Sequence, residues 1–188
     1  TEMSTNFGDR IYRVSMQLVT MKDVVNEARI LENVDADINL VAMFFYDETE
    51  LQEYIQKNED DKLVVALAYL DNYEEALEGV EEVRRSLLIA LIDRKITKYF
   101  SNFDGLVRKL ERDKYFLIMR QSSLEALKEQ RFHILDEVKT VNIGNEMAVT
   151  LSIGIGLNGA NYLQNYEYCR IAIEMALGRG GDQVVIKN

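Results

Sequence analysis

Phe103 to Met119 is the stretch that most limits what this chain can fold into. Phe103-Asp104-Gly105-Leu106-Val107-Arg108-Lys109-Leu110 comes in, Glu111-Arg112-Asp113-Lys114 turns, and Tyr115-Phe116-Leu117-Ile118-Met119 goes out. The outgoing run is short, apolar and aromatic-rich, the composition of a buried strand. A four-residue polar turn suits a hairpin. The pattern predicts two paired strands at the centre of a sheet that also carries helices.

The flanking segments extend this sheet. Leu63 to Leu70 (LVVALAYL) is continuously apolar and reads as a strand buried on both faces, ended by Asp71-Asn72. Tyr73 to Tyr99 reads as helix, in one piece or broken near Gly79, with Val83, Leu87, Leu88, Leu91, Ile92 and Ile96 as its apolar stripe. Ser122 to Val138 reads as a further helix capped by Ser122 or Ser123. Met147 to Leu157 reads as a strand, Tyr162 to Leu177 as a helix closed by Gly178-Arg179-Gly180-Gly181, and Val184 to Ile186 as a last strand. From Leu63 the order is β-α-β-β-α-β-α-β. Its core is the ferredoxin-like arrangement, an α+β fold expected to carry helices on one face of an antiparallel sheet.

The N-terminal part is less complete. Arg10 to Met21 alternates loosely and reads as a strand, Lys22 to Asp37 as a loop or short helix, and Ile38 to Tyr46 as a strongly apolar strand. Leu51 to Asn58 follows at helical spacing, with Asp47 as its cap and Glu50 three residues on. About sixty residues in that pattern bury little core.

Composition removes whole classes of function. The net charge of −10 argues against a nucleic-acid partner, which needs clustered cations. The single histidine, His133, reads as a surface or packing residue and excludes chemistry built on several His ligands. One cysteine, Cys169, excludes an internal disulfide and fits a reducing compartment. No run approaches the ~18 apolar residues of a membrane span, so no direct membrane contact is expected of this chain. The polar, acidic start carries no signal-peptide pattern, and the absence of proline leaves no rigid linker.

Several short motifs carry a resemblance. Thr150-Leu151-Ser152-Ile153-Gly154-Ile155-Gly156 resembles the "TLSIGIA" strand of GGDEF domains, the diguanylate cyclase fold. Leu70-Asp71-Asn72-Tyr73 sits where that family carries its "DxDxF" strand end. Residues Ala172 to Gln183 resemble its closing helix and "GRN" turn. Together with Glu-Arg-Asp-Lys-Tyr in the hairpin, they are similar to the GdpP/YybT-type cyclic-di-AMP phosphodiesterases. Residues 62–188 would form a degenerate GGDEF domain. Residues 1–58 would be a partial PAS-like α/β segment with a linker helix, since Phe45 to Glu50 resembles the "F-x-D-x-T-E" exit of PAS sensors. The resemblance implies a membrane-bound parent on the cytoplasmic face of the bacterial membrane. Its DHH/DHHA1 catalytic domain would lie elsewhere on the same polypeptide, and a homodimer stays open.

A cyclase needs Mg²⁺ held by carboxylates and paired glycines beside the phosphates. Carried across residue by residue, the metal-ligand position falls on Tyr69, the base-reading pair on Leu77 and Ser86, and the closing lysine on Leu177. The signature turn falls on Leu110 to Lys114, or one residue later, with Asp113 or Lys114 in place of the catalytic Glu. The Arg of the family's product site falls on Ser101. No catalytic residue is therefore expected. A nucleotide site of Asp71, Asn72, Arg108, Asp113 and Lys114 is a candidate, with Asp71 as its metal ligand and ATP with Mg²⁺ or Mn²⁺ as its cargo, consistent with the weak ATP hydrolysis the resemblance implies. The competing reading is a set of solvated charges at strand ends.

Overall fold

The computed structural model describes residues 2–20 and 39–188. The stretch Lys22 to Asp37 lies outside the described residues. By its internal contacts the chain divides into two compact units, Thr1–Asn58 and Glu59–Asn188.

The first unit is a three-stranded antiparallel sheet in the order β1-β2-β3, built from β1 (Glu2–Phe7), β2 (Arg10–Thr20) and β3 (Asn39–Asp47). Strand β1 has no apolar alternation to announce it; its sequence is EMSTNF, at the sheet edge. Helix α1 (Thr49–Asp60) follows. The Asp47 carboxylate accepts the Thr49 N–H at 3.1 Å and the Thr49 hydroxyl at 2.6 Å, so it caps the helix as expected, and those bonds lower its pKa. Val14 is the only described residue of this unit in the buried core.

The second unit is organised around β4 (Leu63–Leu70), the middle strand of a five-stranded sheet ordered β5-β6-β4-β7-β8. The strand is antiparallel to both its neighbours, β6 (Lys114–Arg120) and β7 (Leu151–Gly156). Its residues alternate between two cores. Val64, Ala66, Ala68 and Leu70 pack with Leu88, Ile92 and Ile96 of α3 (Glu82–Ser101), and with α4 (Gln121–Glu129) and α5 (Ile134–Lys139). Val65 and Leu67 pack on the other side with Cys169 and Ile173 of α6 (Tyr162–Gly178). The unbroken apolar run is thus a strand covered on both faces.

Helices therefore lie on both faces of the sheet, not on one as the ferredoxin-like core predicts. The reason is β8 (Val184–Lys187), which pairs parallel with β7. A parallel pair needs a crossover, and α6 supplies it on the face the other helices leave open.

Three other expectations change. The hairpin of β5 (Leu106–Lys109) and β6 stands at one edge of the sheet, with β5 outermost, not at its centre. Its charged Arg108 and Lys109 suit an edge, where an unpaired strand must resist further pairing. The single helix expected over Ser122 to Val138 is two helices, parted where Arg131 and Phe132 take φ of 51° and 49°. Neither residue is a glycine, so the sequence carries no mark of the break, and buried Phe132 fills the core there. Arg120, not Ser122 or Ser123, precedes the first of them, without a side-chain cap. The break near Gly79 is present, between α2 (Tyr73–Leu77) and α3.

Helix α6 lies directly on β7. A Cβ at Gly154 would stand 2.3 Å from the Ile173 nitrogen, and one at Gly156 would stand 1.9 Å from the Asn165 carbonyl oxygen. Backbone, unlike a flexible side chain, cannot yield by that distance, so Gly156→Ala should push α6 off the sheet. We expect it to cost about 3 kcal/mol or more in urea unfolding, at the upper end of overpacking effects. Cys169, beneath the same helix, donates its thiol to the Gly154 carbonyl at 3.1 Å. Burial pushes the Cys169 thiol from 9.0 up to about 12, so the folded state favours the neutral form. That contribution to stability is complete below pH 9.0 and is lost as pH rises toward about 12. A thiol reagent at neutral pH should accordingly label Cys169 only at the rate of unfolding.

Candidate functional site

The hairpin edge, α2 and the first half of α3 enclose an open groove of about 1270 Å³. Five glutamates line it (Glu74, Glu75, Glu78, Glu82 and Glu111) against three cations, Arg85, Lys109 and Arg112. Two of those cations are engaged. Both oxygens of Asp93 hold the Lys109 ammonium, at 2.7 and 2.8 Å, and Arg85 Nε donates to the Val80 carbonyl at 3.0 Å. Arg112 has no ion pair or hydrogen bond among the described residues. The groove's uncompensated charge is negative, which opposes a polyphosphate arriving without its own cation.

Below the groove, α3 is tied to the hairpin. The Tyr115 hydroxyl donates to Asp93 Oδ1, the carboxylate that also holds Lys109. Burial, then the bond to Asp93, pushes the Tyr115 phenol far above its ordinary value, so it stays a donor. Sequence reasoning missed this cluster. Its signal was a carboxylate, Asp93, inside the apolar stretch Leu87 to Ile96, and an inward-facing tyrosine whose hydroxyl needs a partner once buried.

The five residues expected to form a nucleotide site are neighbours at strand ends, but no single cavity collects them. Asp71 accepts the Asp182 N–H on Oδ2 at 2.8 Å, while its Oδ1 is buried without a partner. It thereby holds the loop entering β8, where Gly181 leaves room for it: a Cβ there would lie 2.7 Å from the carboxylate. Asn72 donates to the Ala148 carbonyl at 2.8 Å and accepts from Thr150 N–H at 3.0 Å, fastening the entry to β7. Lys114 pairs with Glu111 at 2.8 Å, which raises its pKa, and sits 5.5 Å from the Tyr69 ring centroid. Arg108 stands opposite Phe116, exposed on the α6 side of the sheet. Of the five, only Asp113 borders the groove region, in a side recess shared with Tyr73, Glu74, Glu111 and Arg112.

A metal ion finds little here. Among the described residues no group of three or more His, Cys, Asp or Glu side chains is placed to hold one. Asp71 offers one oxygen, and its other is committed to the loop. Tyr69, where the cyclase pattern puts a metal-binding carboxylate, has its phenol pKa raised by burial and stays neutral. The residues present do not fit a resident Mg²⁺.

Comparison with known proteins identifies the family of the chain. The family model described as "Cyclic-di-AMP phosphodiesterase GdpP-like, GGDEF domain" matches residues 68–188. This chain belongs to the GdpP-like GGDEF domain family. It is 33% identical over 145 residues to the cyclic-di-AMP phosphodiesterase PdeA of Listeria monocytogenes, a match covering 77% of this chain and 22% of that protein. The cyclic-di-AMP phosphodiesterase GdpP of Geobacillus thermodenitrificans is 30% identical over 145 residues, again 77% of this chain and 22% of the relative. A "membrane protein-large ribosomal subunit bL9 fusion protein" of onion yellows phytoplasma is 28% identical over 179 residues, 90% of this chain and 21% of that protein. The GdpP-like chain thus spans about a fifth of the length of the curated relatives it matches.

Among solved structures, the active GGEEF domain of a diguanylate cyclase from Vibrio cholerae superposes with a TM-score of 0.58 at 12% identity, covering 73% of this chain and 90% of that one. The GGDEF domain of PA1120 (YfiN or TpbB) from Pseudomonas aeruginosa gives 0.58 at 15%, covering 73% and 88%. These likenesses establish the nucleotide-cyclase α+β fold. Among the described residues, no helix of the GdpP-like chain is long and apolar enough to cross a membrane.

If Asp71 is a loop fastener, Asp71→Ala should lower stability by about 1–3 kcal/mol in urea unfolding and speed amide exchange at Asp182. Asp71→Asn, which keeps an acceptor, should lose less.

Proposed function

We propose that residues 62–188 are a degenerate GGDEF module without diguanylate cyclase activity, serving as a regulatory domain of a longer, membrane-bound cyclic-di-AMP phosphodiesterase. The phosphodiesterase reaction belongs, in this reading, to a DHH/DHHA1 domain on the same polypeptide, at the cytoplasmic face of the membrane. The first unit is read as the C-terminal part of a PAS-like sensor. Its relatives' names support the parent's activity.

The observation that carries the loss of cyclase activity is the fate of the base-reading positions. Leu77 is 6% exposed and packs into the core, and the Ser86 hydroxyl donates to Glu82 O of its own helix at 3.2 Å. Neither can read a guanine edge. The turn bears the side chains of Leu110 to Asp113 where phosphate approach needs paired glycines, and Tyr69 cannot replace a carboxylate on Mg²⁺. GTP with Mg²⁺ should therefore give no cyclic-di-GMP above a buffer blank; formation of that product would overturn the reading. The chain alone should also leave cyclic-di-AMP intact. In the longer polypeptide, removing residues 62–188 should change the rate of its hydrolysis without abolishing it.

A second reading, slow hydrolysis of ATP with Mg²⁺ or Mn²⁺, is favoured by the open groove and the unpaired Arg112 at its rim. The metal would arrive with the nucleotide. Phosphate release should then fall about tenfold or more in Arg112→Ala, the effect of losing one charge-assisted phosphate contact. Asp113→Ala tests the same recess.

A further inference from the structure

On the far flank of α3, a second groove of about 600 Å³ runs between this helix and α5. Arg94, Lys95 and Lys98 line it from α3. Glu137 is the one acidic residue in its lining and stands 3.8 Å from Lys95. Arg94 and Lys98 have no ion pair or hydrogen bond among the described residues. In a chain of net charge −10, this groove concentrates three cations within five residues. Compensation of the helix dipole accounts for Lys98 in the last turn of α3, but not for Arg94 a turn earlier. The last-turn carbonyls of α3 are already satisfied, by the N–H groups of Asn102, Phe103, Asp104 and Gly105.

The remaining lining is of another kind. Leu91, Tyr99 and Val141 give an apolar and aromatic wall. The Asn102 side chain and the Asn142 amide nitrogen make no hydrogen bond among the described residues, and both lie at the groove. Side chains three and four apart on a helix share one face, so Arg94 and Lys98 can bind one anion together. A guanidinium takes phosphate oxygens in pairs and lysine adds a point charge. The volume falls within the range of small-molecule sites. A cationic end, an apolar wall and two free amides in one cleft match a molecule with a phosphate end, a flat ring and polar edges.

We propose that the groove between α3 and α5 binds a phosphorylated small molecule of the nucleoside phosphate class, separately from the hairpin groove. Its recognition rests on Arg94 and Lys98 for phosphate and on Asn102 and Asn142 for the base. Neither Ser101 nor Asp104, where the GGDEF product site would fall, lines it.

The test is a calorimetric titration of the whole chain with inorganic pyrophosphate and with ADP, in low salt. Both should bind saturably below about 1 mM, ADP more tightly, and salt should weaken both. R94Q/K98Q should weaken both by about tenfold or more, with a melting temperature close to that of the parent because both residues are exposed. R170Q/K187Q, which removes two cations outside either groove, should change affinity less than about twofold. The proposal is overturned by the absence of saturable binding, by R94Q/K98Q binding like the parent, by equal weakening in R170Q/K187Q, or by ADP binding no better than pyrophosphate. Loss confined to R112A also overturns it, because that assigns the ligand to the hairpin groove and leaves the ATP reading intact.

Discussion

A strand without a polar residue between its ends has to be covered on both faces, and the second unit is arranged around meeting that demand at β4. One face takes four helices, α2 to α5, whose side chains pack with Val64, Ala66, Ala68 and Leu70. The other takes a single helix at close range, and that range exists because Gly154 and Gly156 withhold side chains from β7. A sheet loaded unequally in this way has one thick and one thin layer. The thick layer borders both grooves described above, since four helices of different length close against one another less completely than one helix closes on a glycine track.

Much of this was legible. The order of elements along the chain, the break at Gly79, the C-terminal cap of α6 and the burial of β4 all follow from apolar runs and punctuation residues. The split between α4 and α5 did not, because its left-handed residues are Arg131 and Phe132, and periodicity cannot distinguish a bent helix from two. The hairpin was recognisable as a hairpin. Its place at the edge was set by β4 and β7 pairing, a contact some eighty residues apart in sequence that no local pattern encodes. The candidate site was less legible still. Asp71 and Asn72 are polar residues at a strand end, which is where a ligand would be held, and equally where incoming loops must be fastened. Only the positions of Asp182, Ala148 and Thr150 separate those roles.

In the proposed reading, the same scaffold keeps its form without the cyclase chemistry. Leu77 is in the core and Ser86 bonds back to its own helix, so in the proposed reading the residues at the base-reading positions serve local packing and hydrogen bonding instead. The Asp93 carboxylate illustrates the converse. It accepts from a buried phenol that would be costly to leave unpaired, so the link between α3 and the hairpin persists whatever the groove contains, while the exposed Lys109 ammonium adds little.

Helix α3 also divides two environments. Glu82 faces the hairpin groove from one flank, beside Glu74, Glu75 and Glu78 of the neighbouring segment, while Arg94, Lys95 and Lys98 occupy the other. Glu82 opens the helix and Arg94 lies about 18 Å further along its axis, roughly two Debye lengths at physiological ionic strength. The two groups of charges are therefore largely screened from one another. A diffusing anion meets unpaired cations in the second half of the helix despite the large negative total. The two grooves served by one helix thus differ in charge in a way that the net charge of the domain conceals.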